Sequence, residues 1–452
     1  MSLLDSDYYK DMFGVAAMRA VFGEERRFTA WLETEAALAR VQARLGLIPE
    51  TAGEGITAAA KLESLDLPAM KQAYEKVGFP ILPLVKQLSQ ACDPETARYV
   101  HWGATTQDIV DTGLALQMQE GFAIVEDQLG VAIRAVARLA AEHRDTVMAG
   151  RTFQQQAAPI TFGFKAAVWL DELLRHRERL PDVKRRALVC QFGGAVGTLA
   201  TLGEHGIAVR SGLSRELGLE DPYITWHTAR DGWAEAVFWL AMLASTLAKI
   251  ATEIATLMRT EVDEVREPFE TGRGGSSTMP QKRNPIACPI IIAIGNRLRE
   301  HVGSQLGAMI QEHERGVGAM PIEWMVIPET FMLTAGSLKQ AVSILDDLTV
   351  DGARMRRNLD HGGGLLLAEA VMMGLAPQIG RNQAHEVVYG AAGLAIERGM
   401  TLRDALLMEP AVTSRLSEAE IDALMEPGNY TGCAGAMVDD VLARARACGG
   451  VE

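Results

Sequence analysis

Apolar residues recur along most of this chain at three- and four-residue steps, the spacing that gathers them on one face of a helix. Across residues 24–45, Phe28, Trp31, Leu32, Leu38, Val41 and Leu45 form such a stripe, while Glu25, Arg26, Glu33, Glu35 and Arg44 take other faces. This predicts a surface helix with one buried side. Residues 67–88 are interrupted by Pro68, Pro80 and Pro83, and residues 92–96 read as a turn, which places a first boundary near residue 100. Residues 107–146 contain no proline and predict one or two long helices, followed by helices over 162–180, 231–266 and 285–316. The helix over 231–266 is nearly apolar all round from Ala236 to Leu243, with charges only at wide spacing, at Glu235, Lys249 and Glu253. Such a helix must be covered on every side, which argues for a long bundle continuing across subunits. Alternating strand patterns are lacking, although residues 81–85 and 223–226 are candidates for short extended pieces. Past residue 350 the helices shorten, with breaks at 362–364, Pro377, Pro410 and Pro427. The expectation is an all-α oligomer of three domains: residues 1–100, a central long-helix bundle over 101–349, and residues 350–452.

Composition narrows the function classes. At 452 residues the chain exceeds the ~250–300 at which a single core stops growing, in line with several domains. Apolar residues at 48% and charged residues at 23% describe an ordinary globular protein. A net charge of −14 repels phosphate backbones, so nucleic acid is a poor candidate partner. The five cysteines are scattered, with no CxxC or His/Cys pair at ligand spacing, which fits a reducing cytosol and no metal site. Asp5, Asp7, Lys10 and Asp11 interrupt the N-terminus, so it lacks the pattern of a signal peptide. The apolar run 236–248 is too short to span a bilayer, and a cytoplasmic protein without a membrane partner is expected.

The segment most suggestive of chemistry is TGRGGSSTMPQKRNP, residues 271–285. Gly272, Gly274 and Gly275 give a pliable loop, Ser276, Ser277 and Thr278 give hydroxyls, and Lys282, Arg283 and Asn284 bring two cations and an amide. A helix starting near Pro285 would add N–H groups and a positive dipole end, so the segment suits an anion. No Gly-Lys-Ser/Thr closes it, so it is not a phosphate P-loop. The plain alternative is a flexible basic loop.

In full, however, this string resembles the GSSxMPxKxNP signature of the fumarase/aspartase superfamily, matched by Gly275, Ser276, Ser277, Met279, Pro280, Lys282, Asn284 and Pro285. The resemblance implies a cofactor-free enzyme in which Ser276, beside Ser277, removes the proton next to a carboxylate, with Lys282 and Asn284 holding the carboxylate whose charge grows. HWGATTQDIVDT, residues 101–112, resembles the first substrate-binding region and implies contacts from Thr105, Thr106 and Gln107; its structural alternative is a helix N-cap at Thr105 or Thr106. GRTFQQQAAP, residues 150–159, resembles the second, with Arg151, Thr152 and Gln155 as substrate-binding candidates. His227 and Arg230, three apart before an apolar helix, could both face an anion, or Arg230 could pair with Asp231 or another surface acid. His313, Glu314 and Arg315 read as a solvated helix face, and His101 as a hydrogen-bonding core residue.

Where adenylosuccinate and argininosuccinate lyases carry a histidine after the region-two threonine, this chain has Phe153, and where adenylosuccinate lyases carry a second, it has Gln156. Phenylalanine cannot donate a proton. In this respect, and in QFGGAVGTL, WHTARDGWAE and QEHERGVGAMPIEWMVIP, the chain resembles the 3-carboxy-cis,cis-muconate cycloisomerase branch of aromatic degradation. That likeness implies a small polycarboxylate substrate and a homotetramer whose active sites are shared between subunits. Two rivals remain: a C–N lyase releasing fumarate from an N-substituted aspartate, and a non-catalytic structural relative. Gln281, which stands where many relatives have histidine, leaves the substrate open.

Overall fold

The computed structural model describes residues 3–269, 274–275 and 278–449. Ser276 and Ser277 lie outside the described residues. The described chain is overwhelmingly helical, as its periodicity predicts. Five helices exceed twenty residues beyond the first region: Thr106–Glu142, Phe162–Ala187, Asp231–Leu257, Ala287–Ala308 and Ala319–Leu345. Among the described residues the strands are two antiparallel pairs, Val147–Thr152 with Gln155–Thr161 and Val265–Arg266 with Thr349–Val350. The first hairpin is absent from the sequence reading, because Gly150 and Pro159 break up its alternation; a bulge between Gly150 and Arg151 accommodates the irregularity. Residues 81–85, read as extended, instead open the helix Ile81–Ala91, and residues 223–226 are irregular. Pro83 sits in the first turn of that helix, where its missing N–H breaks no helical hydrogen bond.

By compactness the chain forms two units, each discontinuous in sequence. Residues 1–128, 176–247 and 290–339 make the first. Its centre is aromatic: Phe122 packs edge-on against Phe331 at 4.9 Å, Phe331 meets Phe22 at 5.3 Å, and Trp239 lies 6.1 Å from Phe122. The helix Glu24–Arg44 buries Trp31, Leu32, Leu38 and Val41, the stripe its sequence shows. The second unit comprises residues 129–175, 248–289 and 340–452. Here Val371, Leu375, Val388, Leu402, Leu406 and Ile421 form one core, its helices started by capping groups such as the Ser417–Glu420 box. A smaller cluster sets Ala149 of the hairpin against Leu359, Leu366 and Leu367.

Two helix ends differ instructively from expectation. Phe162–Ala187 runs through Pro181, which forfeits one helical hydrogen bond but does not end the helix. The apolar helix stops at Leu257 because the chain turns, with Asp263 at a φ of 51° and its N–H bonded to the Arg259 carbonyl, before the short strand Val265–Arg266. By length and composition Asp231–Leu257 could cross a membrane, in contrast to the estimate from its unbroken apolar run, but 61% of its most apolar window is buried within the fold, as in a core helix. Phe238 remains half exposed, so a strip of this helix is uncovered within one chain.

Candidate active site

The first unit assembles its site residues around the start of the helix Thr106–Glu142. Asp108, fully buried, accepts hydrogen bonds from the N–H groups of Thr105 (3.0 Å), Gly193 (3.0 Å) and Gly194 (2.9 Å). The N-cap expectation is thus inverted: a carboxylate in the first turn reaches back to the chain entering the helix, and the Thr105 and Thr106 hydroxyls have no hydrogen-bond partner among the described residues. Gly194 is at a φ of 72°, and a Cβ there would lie 3.1 Å from the Gly103 carbonyl oxygen, so this approach favours glycine.

His227 is also drawn to Asp108, with Nε2 2.8 Å from Oδ1. Its Nδ1 is buried without a partner among the described residues. The Gln107 amide is occupied: Nε2 donates to the His227 carbonyl (2.9 Å) and to Asp111 (3.1 Å), while Oε1 accepts from Arg315 Nε at 2.8 Å. Arg315, assigned from sequence to a solvated helix face, lies instead in a loop and touches Gln107, 208 residues away. A lone arginine among charged neighbours carries no local signal of that contact.

Arg230 departs furthest from its expected role of facing an anionic ligand. It is buried, with Nη1 2.6 Å from Asp111 and Nη2 2.6 Å from Glu323, its Nε also on Glu323, and its guanidinium stacked 4.1 Å from the Trp233 ring centre. Burial opposes the Arg230 charge, but Asp111 and Glu323 outweigh it and hold the proton more tightly than usual. Burial likewise raises the Glu323 carboxyl above its ordinary range, and Arg230 only partly offsets this. The guanidinium organises two buried acids that the sequence reading did not single out.

The second unit carries the other two regions. Arg151 forms a bidentate pair with the buried Glu264, at 2.9 and 2.6 Å, and Asn358 donates to the same carboxylate at 2.8 Å. It therefore serves an internal acid, while Thr152 and Gln155 are exposed and flank a two-residue turn. The turn residues Phe153 and Gln154 both have positive φ, 50° and 66°, the geometry of a tight hairpin turn that ordinarily takes Asn or Gly. Phe153 is held there fully exposed. Gln156 points to the Asn358 carbonyl at 2.9 Å.

In the signature segment, Asn284 returns to Gly274: its backbone N–H and its Nδ2 both donate to the Gly274 carbonyl, at 3.0 and 3.1 Å. Gly274 is at a φ of 70°, with the Asn284 carbonyl 2.7 Å from where a Cβ would stand, so only glycine lets the two strands of the loop meet. Lys282 is exposed and has no hydrogen bond or ion pair from its ammonium group to a described residue. The expected anion site at the following helix start is already filled. The Glu267 carboxylate accepts from the N–H groups of Ile286 (2.9 Å), Ala287 (3.1 Å) and Cys288 (3.0 Å).

Two family models match the chain, one described as Lyase over residues 13–299 and one as the adenylosuccinate lyase C-terminus over residues 364–441. The chain is 45% identical over 440 residues to 3-carboxy-cis,cis-muconate cycloisomerase of Pseudomonas aeruginosa, covering 97% of this chain and 96% of that protein. It superposes on the 3-carboxy-cis,cis-muconate lactonizing enzyme of Pseudomonas putida with a TM-score of 0.94 at 40% identity, over 98% of this chain and all of the other. A fumarate lyase from Mesorhizobium sp. BNC1 gives a TM-score of 0.90 at 46% identity, covering 95% of this chain and 98% of that one.

Proposed function

The chain belongs to the fumarase/aspartase superfamily, and we propose that within it the protein acts as a 3-carboxy-cis,cis-muconate cycloisomerase on a small polycarboxylate, without a cofactor. The observation that carries this reading is Phe153 beside Thr152 at the exposed hairpin tip, where an apolar ring stands in place of a proton donor. An amine leaving group needs a proton; the carboxylate that leaves when a lactone opens does not.

In the closing direction, a carboxylate oxygen adds to one carbon of the conjugated double bond. The displaced electron pair moves into the neighbouring carboxylate, which becomes an aci-carboxylate, and a proton then returns to its α-carbon. In this proposal Ser276 delivers that proton, and in the reverse direction its alkoxide removes it, with Ser277 adjacent. Lys282 supplies the cation where charge accumulates, aided by Asn284. The free hydroxyls of Thr105 and Thr106, with Thr152 and Gln155, are suited to the other carboxylates, and Arg315 adds a cation beside Gln107. Such basic groups give an acidic protein a locally positive pocket. Arg151, His227 and Arg230 act through the groups they hold. The proposal extends to a homotetramer in which regions from different chains complete each site, since the strip of the helix Asp231–Leu257 at Phe238 is uncovered in one chain.

A second reading, a C–N lyase releasing fumarate, is favoured by the likeness to the Mesorhizobium fumarate lyase. An ultraviolet assay separates the two. Consumption of 3-carboxymuconate without fumarate release from N-substituted aspartates supports the first; the opposite pattern supports the second.

A further inference from the structure

A cleft of about 660 Å³ opens beside the helix Glu24–Arg44, and none of the residues proposed above for the reaction lines it. Its size falls within the range of small-molecule sites, roughly 300–1,000 Å³. Buried Trp31, Met70 and Leu114 line it, together with the partly buried Phe28 and Trp324. Phe28 and Trp31 meet edge to face at 5.4 Å, and with Trp324 they give the cleft three aromatic rings, a lining suited to a planar aromatic guest.

Arg27 reaches into the same cleft. Its neighbour Arg26 is paired with Glu120 and Glu33, at 2.7 and 3.1 Å, whereas the Arg27 guanidinium has no hydrogen-bond acceptor among the described residues. Burial pushes the Arg27 pKa below its usual value, and Glu24 offsets only part of this. The half-buried guanidinium thus has no hydrogen-bonded acceptor and only partial balance from Glu24, a deficit that a bound anion would relieve. At the rim, Lys71 and Tyr74 offer donors, while Glu24 and Glu75 disfavour a second negative charge. We propose that this cleft binds a planar aromatic monocarboxylate, its ring against Phe28, Trp31 and Trp324 and its carboxylate on Arg27. This ligand class differs from the polycarboxylate of the proposed reaction, and the inference does not rest on that reaction.

The test is titration of 1-naphthoate into the full-length protein as purified, followed by calorimetry and by quenching of tryptophan fluorescence, with neutral 1-naphthalenemethanol in parallel. Saturable binding of one naphthoate per chain is expected. Arg27→Met should weaken naphthoate about tenfold or more, the usual effect of losing a charge-assisted hydrogen bond, and the alcohol less than about twofold. The same variant without ligand should melt no lower than the parent, since an unpaired cation is removed, and Arg27→Gln provides an independent repeat. Absence of saturable binding, equal weakening of both probes, or naphthoate binding lost in Lys282→Ala but kept in Arg27→Met would overturn the proposal.

Discussion

Replacing Arg230 by methionine removes the cation that Asp111 and Glu323 share in the interior. Both carboxylates are about 1% exposed, so neither can be rescued by water without opening the fold. At least one must take up a proton. Protonating a carboxyl of ordinary pKa, about 4.3, at pH 7 costs about 3 to 4 kcal/mol, at ~1.4 kcal/mol per pH unit. This agrees with the ~3–5 kcal/mol typical of breaking a buried ion pair. In the variant the folded state would bind a proton that the unfolded state releases, so its deficit should be largest at neutral pH. It should shrink by about 1.4 kcal/mol per unit as pH falls from 7 toward 5. Urea titrations of parent and variant at pH 5, 6 and 7, at one protein concentration and followed by circular dichroism, measure this directly. A deficit under about 1 kcal/mol, or one independent of pH, would refute the structural role. Lost turnover with an unchanged urea midpoint would instead restore Arg230 as a ligand-binding residue.

Other outcomes follow from the same geometry. His101 lies 2.6 Å from the buried Glu35; burial opposes its charge, yet the carboxylate wins and raises its pKa above 6.5. The stability it contributes is therefore complete below about pH 6.5 and declines as pH rises through the elevated folded value, a decline that melting curves from pH 6 to 9 should show and that His101→Gln should lack. Phe153→Asn relieves a left-handed conformation costing about 1 kcal/mol, so the melting temperature should rise slightly; a fall would mean the exposed ring is packed in the assembled protein. Ser276→Ala homomers should lose about 10²–10⁴-fold in kcat through loss of the proposed base, and Thr106→Val homomers, lacking a substrate hydroxyl, should be nearly inactive. After co-refolding in equal amounts, shared sites should recover about a quarter of parental activity, and no recovery in verified mixed assemblies would place both residues in one chain's site.

The helices were legible in the sequence because a 3.6-residue period is written in neighbouring residues, and Trp31, Leu32, Leu38 and Val41 declare their buried face without reference to the rest of the chain. The signature segment was legible for a similar reason. Gly274 and Asn284 meet ten residues apart in one loop, so spacing alone carries the pattern. The hairpin at 147–161 escaped notice because Gly150, Pro159 and a bulge blur its two-residue alternation. The partners of the charged residues were beyond any local reading. Arg230 meets Asp111 and Glu323 across 119 and 93 residues, Arg151 meets Glu264 across 113, and Gln107 meets Arg315 across 208. A carboxylate has the same chemistry in the sequence whether it caps a helix, as Glu267 does, or faces water. Only the tertiary fold removes the water, and its removal turns these acids into obligatory partners for arginines that otherwise look available to a ligand.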